Sequence, residues 1–354
     1  MQPARAADTM RHDTMEQSQA TLGAAIVVLG GLLHGSFALP LRRIRKWQWE
    51  NTWLVYSVVA TILFPLLLAV LTVPSLFTVY ANTPGSTILR VALFGFGWGV
   101  GSTLFGQGIS RVGMALGFAI VLGITSSLGS LLPLLILNPE QIGTRKGMIL
   151  LFGLAIVVAG IIACAVAGAV REKDQKGSAA AATQGSFTAG LLICIASGVL
   201  SPMLNFGFVF GDSIRQAATN LGARPDLAGN ALWAPAMLGG FLANAGYSIW
   251  LLNKNKTWTL YRSPDAPASC WWGAIIMGVL WFGGISIYGM GASSMGPWGG
   301  VLGWPVFMSM VIVTANVHGA LGGEWAGASA TARALSWLGI AVLIAAIAVI
   351  STAA

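Results

Sequence analysis

Apolar residues along this chain fall into long runs, and polar or charged residues gather in short segments between them. A helix crossing a bilayer needs about 20 mostly apolar residues, because each residue advances about 1.5 Å through the hydrocarbon layer. The runs therefore predict ten spans: 22–39, 53–73, 88–109, 115–137, 147–170, 187–208, 230–252, 269–290, 299–318 and 334–351. Hydrocarbon offers no partner to a free backbone amide, so each run is expected to be helical.

One stretch occurs twice. Residues 95–113, GFGWGVGSTLFGQGISRVG, align without a gap on 278–296, GVLWFGGISIYGMGASSMG. Trp98 matches Trp281, Gly95, Gly101, Gly106, Gly108 and Gly113 each meet a glycine, and Phe105 faces Tyr288. Gly31-Leu32-Leu33 likewise answers Gly198-Val199-Leu200 near the start of each half, which points to an internal duplication. Five spans per copy is an odd number, so the second copy enters the membrane from the opposite side. The expected fold is an all-α integral membrane protein of ten transmembrane helices in a 5+5 inverted repeat, a transporter architecture. Its parts are a polar N-terminal tail at 1–20, expected to be disordered, and a first five-helix repeat at 21–170. A charged and then Ala/Gly/Ser-rich linker follows at 171–186, and the second repeat covers 187–354.

Composition agrees: with 8% charged residues and a mean hydropathy of +0.77, the chain could not cover a water-soluble globule with polar surface. The net charge of +8 raises the prospect of nucleic acid, but the basic residues are spread over loops as a topology signal, and no nucleic-acid partner is expected. Loops after the odd-numbered spans hold 12 of the 19 Lys and Arg, led by Arg42, Arg43, Arg45 and Lys46, which places both termini outside. The first run ends in Pro40 and that basic cluster rather than a cleavage site, so no signal peptide is expected. Lys46-Trp47-Gln48-Trp49 onward to Trp53 reads as an interfacial aromatic anchor. Cys164, Cys194 and Cys270 are widely spaced and suggest neither disulfide nor metal.

No enzyme constellation appears: there is no P-loop, no GxSxG and no zinc spacing, and no cofactor is expected. Trp98 and Trp281 lie inside their spans at matching positions, and an indole face suits the C–H face of a sugar. His34, Ser36, Gln107, Asn205, Asn244, Asn316 and His318 supply polar groups at span interiors, although each also serves as interhelical glue. No Lys, Arg, Asp or Glu sits at mid-span, which weighs against phosphorylated substrates and organic cations and leaves a neutral sugar or polyol. Pro202, beside Ser201 and ahead of Asn205, is expected to break the sixth span.

The run Gly35-Ser36-Phe37-Ala38-Leu39-Pro40, the segment Lys46-Trp47-Gln48-Trp49-Glu50, the stretch from Phe94-Gly95 to Gly117, Leu221-Gly222 and Gly323-Glu324-Trp325 resemble the L-rhamnose:proton symporter family of the drug/metabolite transporter superfamily. The likeness covers nearly everything after the tail. It implies ten helices, proton-driven sugar uptake across a bacterial cytoplasmic membrane, and a central site between the halves. Where members carry a Trp-His pair early in the first helix, this chain has Ile26-Val27, with His34 two turns later.

The expected substrate-binding residues are His34, Phe37, Trp98, Gln107, Asn205, Trp281, Tyr288 and Trp304, around a midplane cavity open to either side in turn. Two groups compete to carry the proton. His34 is the mid-depth residue whose ordinary pKa lies near neutrality, and Asp212 ends the sixth span after Phe208-Val209-Phe210-Gly211. The expected partners are a sugar, protons and lipid. The alternatives are an uncoupled facilitator of the same fold and a non-transporting membrane sugar sensor.

Overall fold

A computed structural model describes residues 2–176, 186–263 and 268–353. In chain order its helices are α1 (Gln2–Gly35), α2 (Trp49–Val58), α3 (Phe64–Thr72), α4 (Leu76–Ala81), α5 (Gly85–Val112), α6 (Met114–Leu137) and α7 (Arg145–Lys176). They continue with α8 (Phe187–Leu200), α9 (Met203–Phe210), α10 (Asp212–Asn220), α11 (Gly229–Asn255), α12 (Ala268–Ser294), α13 (Gly299–Leu321) and α14 (Ala330–Ser351). Strands are absent among the described residues.

Nine segments among the described residues are helical, long and apolar enough to cross a membrane, so the chain is a multi-pass membrane protein. Nine of the ten expected spans fall on them; the seventh, 230–252, falls on α11. That helix has 27 residues, but Asn230, Asn244 and Ser248, all buried, lower its apolar character. At two polar ends the helix runs on past the expected spans. Helix α1 begins at Gln2, within the stretch expected to be a disordered tail. After Pro3, that stretch holds neither proline nor glycine until Gly23, so nothing in it interrupts the helix. Helix α7 likewise runs on to Lys176, into the expected linker, whose residues 177–185 lie outside the described ones.

Two prolines reshape their helices. A π-helical turn, Val59–Leu63, joins α2 to α3: Phe64 N–H reaches back five residues to the Val59 carbonyl, just ahead of Pro65. Pro202, which has no N–H to give, separates α8 from α9, as expected from the sequence.

Three of the duplicated glycine pairs are where helices touch. A Cβ on Gly101 would stand 2.9 Å from Leu200 Cβ and from Ser201 N, and one on the matching Gly284 would stand 2.6 Å from His34 Cβ and 2.7 Å from His34 N. Gly108 meets Cys194 of α8, while its counterpart Gly291 meets Gly23 and Val27 of α1. Gly95 meets Ala236 of α11, and Gly278 meets Val59 and Ala60 at the π turn. Helix α5 is thus packed on α8 and α11, and α12 on α1 and the end of α2. Without glycine at these points the backbones could not approach so closely.

Candidate functional site

At the centre, these glycine contacts bring aromatic side chains from four helices together. Trp98 of α5 lies on Trp281 of α12 with ring centroids 4.8 Å apart, and a Cβ on Gly240 of α11 would collide with the Trp98 ring, so the bare glycine makes its seat. His34 of α1 is 5.1 Å from both Trp281 and Phe307, and 5.9 Å from Phe37. Its Nδ1 is 3.0 Å from the Trp281 carbonyl. A carbonyl only accepts, so Nδ1 carries the hydrogen and Nε2 is left as the basic nitrogen. Phe37 leads on to Tyr56, 5.9 Å away.

The second part of the cluster is a closed polar knot. Asn205 of α9 donates from Nδ2 to the carbonyls of Gly129 and Gly300, each at 2.9 Å, and its Oδ1 accepts from the Tyr288 hydroxyl. Asn205 and Tyr288 are both 0% exposed. The Trp304 indole N–H reaches the Thr125 carbonyl at 3.0 Å, and Trp304 sits over the bare Cα of Gly129. Phe307 joins the two parts, 4.9 Å from Tyr288 and 5.1 Å from His34. Seven of the eight expected binding residues, Asn205 among them, thereby form one contiguous set. The remaining one, Gln107, stands apart: its side-chain amide bonds Thr103 of its own helix, about one turn from the end of α5.

Asp212 is also outside this set. It opens α10, accepts from Arg215 Nε at 3.0 Å and from Gln216 at 2.7 Å, and is half exposed. Contacts nevertheless link it inward, because the Arg215 guanidinium lies 4.2 Å above the Phe208 ring and Phe208 is 5.7 Å from Tyr288.

Two cavities flank the cluster. One of about 860 Å³ is walled by Asn138, Phe208, Asp212, Arg215, Ser293 and Gly300. The other, of about 480 Å³, is reached from the loops carrying Arg42 and Glu324 and touches Gly35, next to His34. The two cavities meet α6 and α13 at opposite ends: Phe118 and Leu122 with Ile312 and Asn316 line the smaller, and Leu137 with Gly300 the larger. From the larger cavity to the smaller, Phe208, Tyr288, Phe307 and His34 form an unbroken series of ring contacts.

Sequence reasoning missed two groups. Ser126 and Ser130 of α6 and Ser309 of α13 are 0% exposed, and their hydroxyls have no partner among the described residues. The run Thr125-Ser126-Ser127 in an apolar span was the available signal. The other group is a charged strap across the smaller cavity. Glu324 bonds Arg42 at 2.6 Å and lies 3.6 Å from Arg171, whose guanidinium stands 5.1 Å over the Trp325 ring. Gln175 holds the backbone of Glu324 and Ala326. Gly323 and Gly327, with φ of +80° and +79°, bend the chain on either side. Glu324 and Trp325 belong to the Gly323-Glu324-Trp325 run of the family resemblance.

Comparison with known proteins adds a name to this geometry. A family model described as L-rhamnose-proton symport protein matches residues 16–354. An L-rhamnose-proton symporter of Cronobacter sakazakii is 26% identical over 331 residues, 92% of this chain and 95% of the relative. Proteins of the same name from Citrobacter koseri and Escherichia coli K12 are each 26% identical over 330 residues, with the same coverage.

Proposed function

Because this chain belongs to the L-rhamnose-proton symport protein family, we propose that it imports L-rhamnose with a proton across a bacterial cytoplasmic membrane by alternating access. The observation that carries this reading is the pair of cavities at opposite ends of one aromatic cluster. A transporter needs a route from each side and a barrier between them that rearranges. Here the barrier holds His34, whose Nδ1 is tied to the Trp281 carbonyl and leaves Nε2 as the basic nitrogen, and α6 and α13 carry three buried hydroxyls without partners, which a sugar's hydroxyl groups would satisfy.

The architecture belongs to the same reading: ten membrane helices, with α11 as the tenth, in a 5+5 inverted repeat of the drug/metabolite transporter superfamily. Support comes from the matched glycine contacts, in which Gly101 with Ser201 and Gly284 with His34 hold equivalent places in opposite halves. The loops carrying Arg42, Lys254 and Glu324 then face the cytoplasm, both termini lie outside, and the smaller cavity opens inward.

The test is uptake by purified protein in liposomes. With an inward proton gradient, L-rhamnose should accumulate above its outside concentration and acidify a trapped pH dye. Sugar flux without acidification makes the protein a facilitator, and binding without flux makes it a sensor.

A further inference from the structure

We infer that the cavity of about 480 Å³ behind Trp325 is a second sugar subsite, one that receives a 6-deoxyhexose on its way to the cytoplasm. This rests on the sugar-transport reading and extends it, because none of the eight binding residues expected from the sequence lines this space. The cavity has the size of small-molecule pockets, which pair apolar walls with a few placed polar groups.

Its walls divide by chemistry. Phe118, Leu122, Ile161 and Ile312 make an apolar side, while Asn316, His318, Glu324 and Arg42 make a polar one, with the Trp325 indole beside them. The polar groups are incompletely used. Asn316 spends one N–H on the Ile312 carbonyl at 2.9 Å, and its oxygen accepts from no described residue. Glu324 Oε1 is engaged by Arg42 at 2.6 Å, but Oε2 has only Arg171 at 3.6 Å, although a carboxylate can accept about four bonds. Acceptors beside cationic donors suit ring hydroxyls, each of which both donates and accepts. The Arg171 guanidinium stands over Trp325 and near Glu324, and its buried Nε has no partner among the described residues, a donor that a neutral ring hydroxyl would satisfy while leaving both ion pairs undisturbed. The apolar wall suits a methyl group where an ordinary hexose carries a hydroxyl. A 6-deoxy sugar has both ends, and L-mannose, which differs from L-rhamnose by that one hydroxyl, does not.

Gly168 offers a probe, since it lines the cavity and a Cβ there would meet nothing within 4 Å. The experiment places Gly168→Cys in a chain with Cys164, Cys194 and Cys270 changed to Ser, and measures alkylation by N-ethylmaleimide in inside-out vesicles. L-rhamnose should slow alkylation at least threefold, L-mannose should need about tenfold more sugar for the same effect, and Asn316→Ala should abolish protection. Unchanged alkylation at rhamnose concentrations that saturate transport in the same vesicles overturns the subsite and leaves symport standing. Protection that persists in Asn316→Ala also overturns it, as closure elsewhere would be the cause. Stronger protection by L-rhamnonate than by L-rhamnose assigns the cavity to an anion instead. Protection without transport keeps the subsite and removes the symport reading; the absence of both removes both. Should the cysteine variant fail to fold, Cys164 in the natural chain, which also lines the cavity, gives the same readout by mass spectrometry.

Discussion

Trp98 and Trp281, the matching tryptophans of the repeated stretch, lie against each other with centroids 4.8 Å apart and planes inclined at 31°. Each covers one face of the other, so a sugar cannot stack between them unless α5 and α12 separate. Trp281 is 5% exposed and also touches His34 and Tyr56, whereas Trp98 is only partly buried. Trp281→Ala should therefore cost about 3–5 kcal/mol of stability, the range for a buried large-to-small change. Trp98→Ala should cost less. Thermal unfolding in detergent reads the difference, and equal losses would mean that the two indoles are packed alike.

The glycine contacts predict a sharper contrast. Gly101→Ala and Gly284→Ala each force a methyl into a backbone 3 Å away or closer, and should destabilise by about 1–3 kcal/mol. Gly106→Ala and Gly123→Ala meet nothing within 4 Å and should leave the folded yield unchanged. Size-exclusion recovery after a heating series would separate the two pairs.

For the proton, His34→Gln retains an N–H for the Trp281 carbonyl but loses the basic Nε2. Sugar exchange at equal concentrations should survive in this variant while gradient-driven accumulation falls to the equilibrium level. If accumulation persists, Asp212→Asn is the next variant to lose it, because Asp212 lines the larger cavity and is tied through Arg215 and Phe208 to Tyr288. Accumulation retained in both assigns the proton to neither.

Ser309 makes a prediction of opposite sign for stability and function. A buried hydroxyl without a partner bears a desolvation cost, so Ser309→Ala should leave the unliganded protein as stable or up to about 1 kcal/mol more stable. If the hydroxyl serves the sugar in the rearranged state, KM for L-rhamnose should rise several-fold. A raised melting temperature with unchanged KM would make it a packing residue alone.

Single cysteines at Gln17 and Arg45 test the orientation. Impermeant maleimide on intact cells should label the first and spare the second. Labelling of both from one side would reverse or dismantle the inferred topology.

Much of this was legible because membrane spans announce themselves by composition, needing no periodicity. The duplication went further, since the tryptophan pair lies in contact and three of the aligned glycine pairs, Gly95 with Gly278, Gly101 with Gly284 and Gly108 with Gly291, sit where helices touch. Pro202 broke its helix for a reason visible in one residue. Other features depend on what the chain meets elsewhere. Glu324, Arg42 and Arg171 are unremarkable loop and helix-end charges until three distant segments converge. Gln107 looked equivalent to residues of the cluster, but a helix turns about 100° per residue, and depth in the membrane says nothing about facing. Polarity alone did not announce the helix from Gln2, in which no glycine or proline after Pro3 interrupts the run up to Gly23.

The glycine faces also bear on how the protein is made. Gly95, Gly101 and Gly108 of α5 find their partners on α8 and α11, which leave the ribosome later. Between completion of Val112 and of Asn255 there are 143 residues of translation, about 7–30 s at ordinary rates. Until α8 is complete at Leu200 the notched face of α5 has neither partner, and until Asn255 it still lacks α11. The earlier half is thus a client awaiting its own continuation. A chain stopped after residue 186 would present that face permanently, as a substrate for membrane quality control and not as a half-sized transporter.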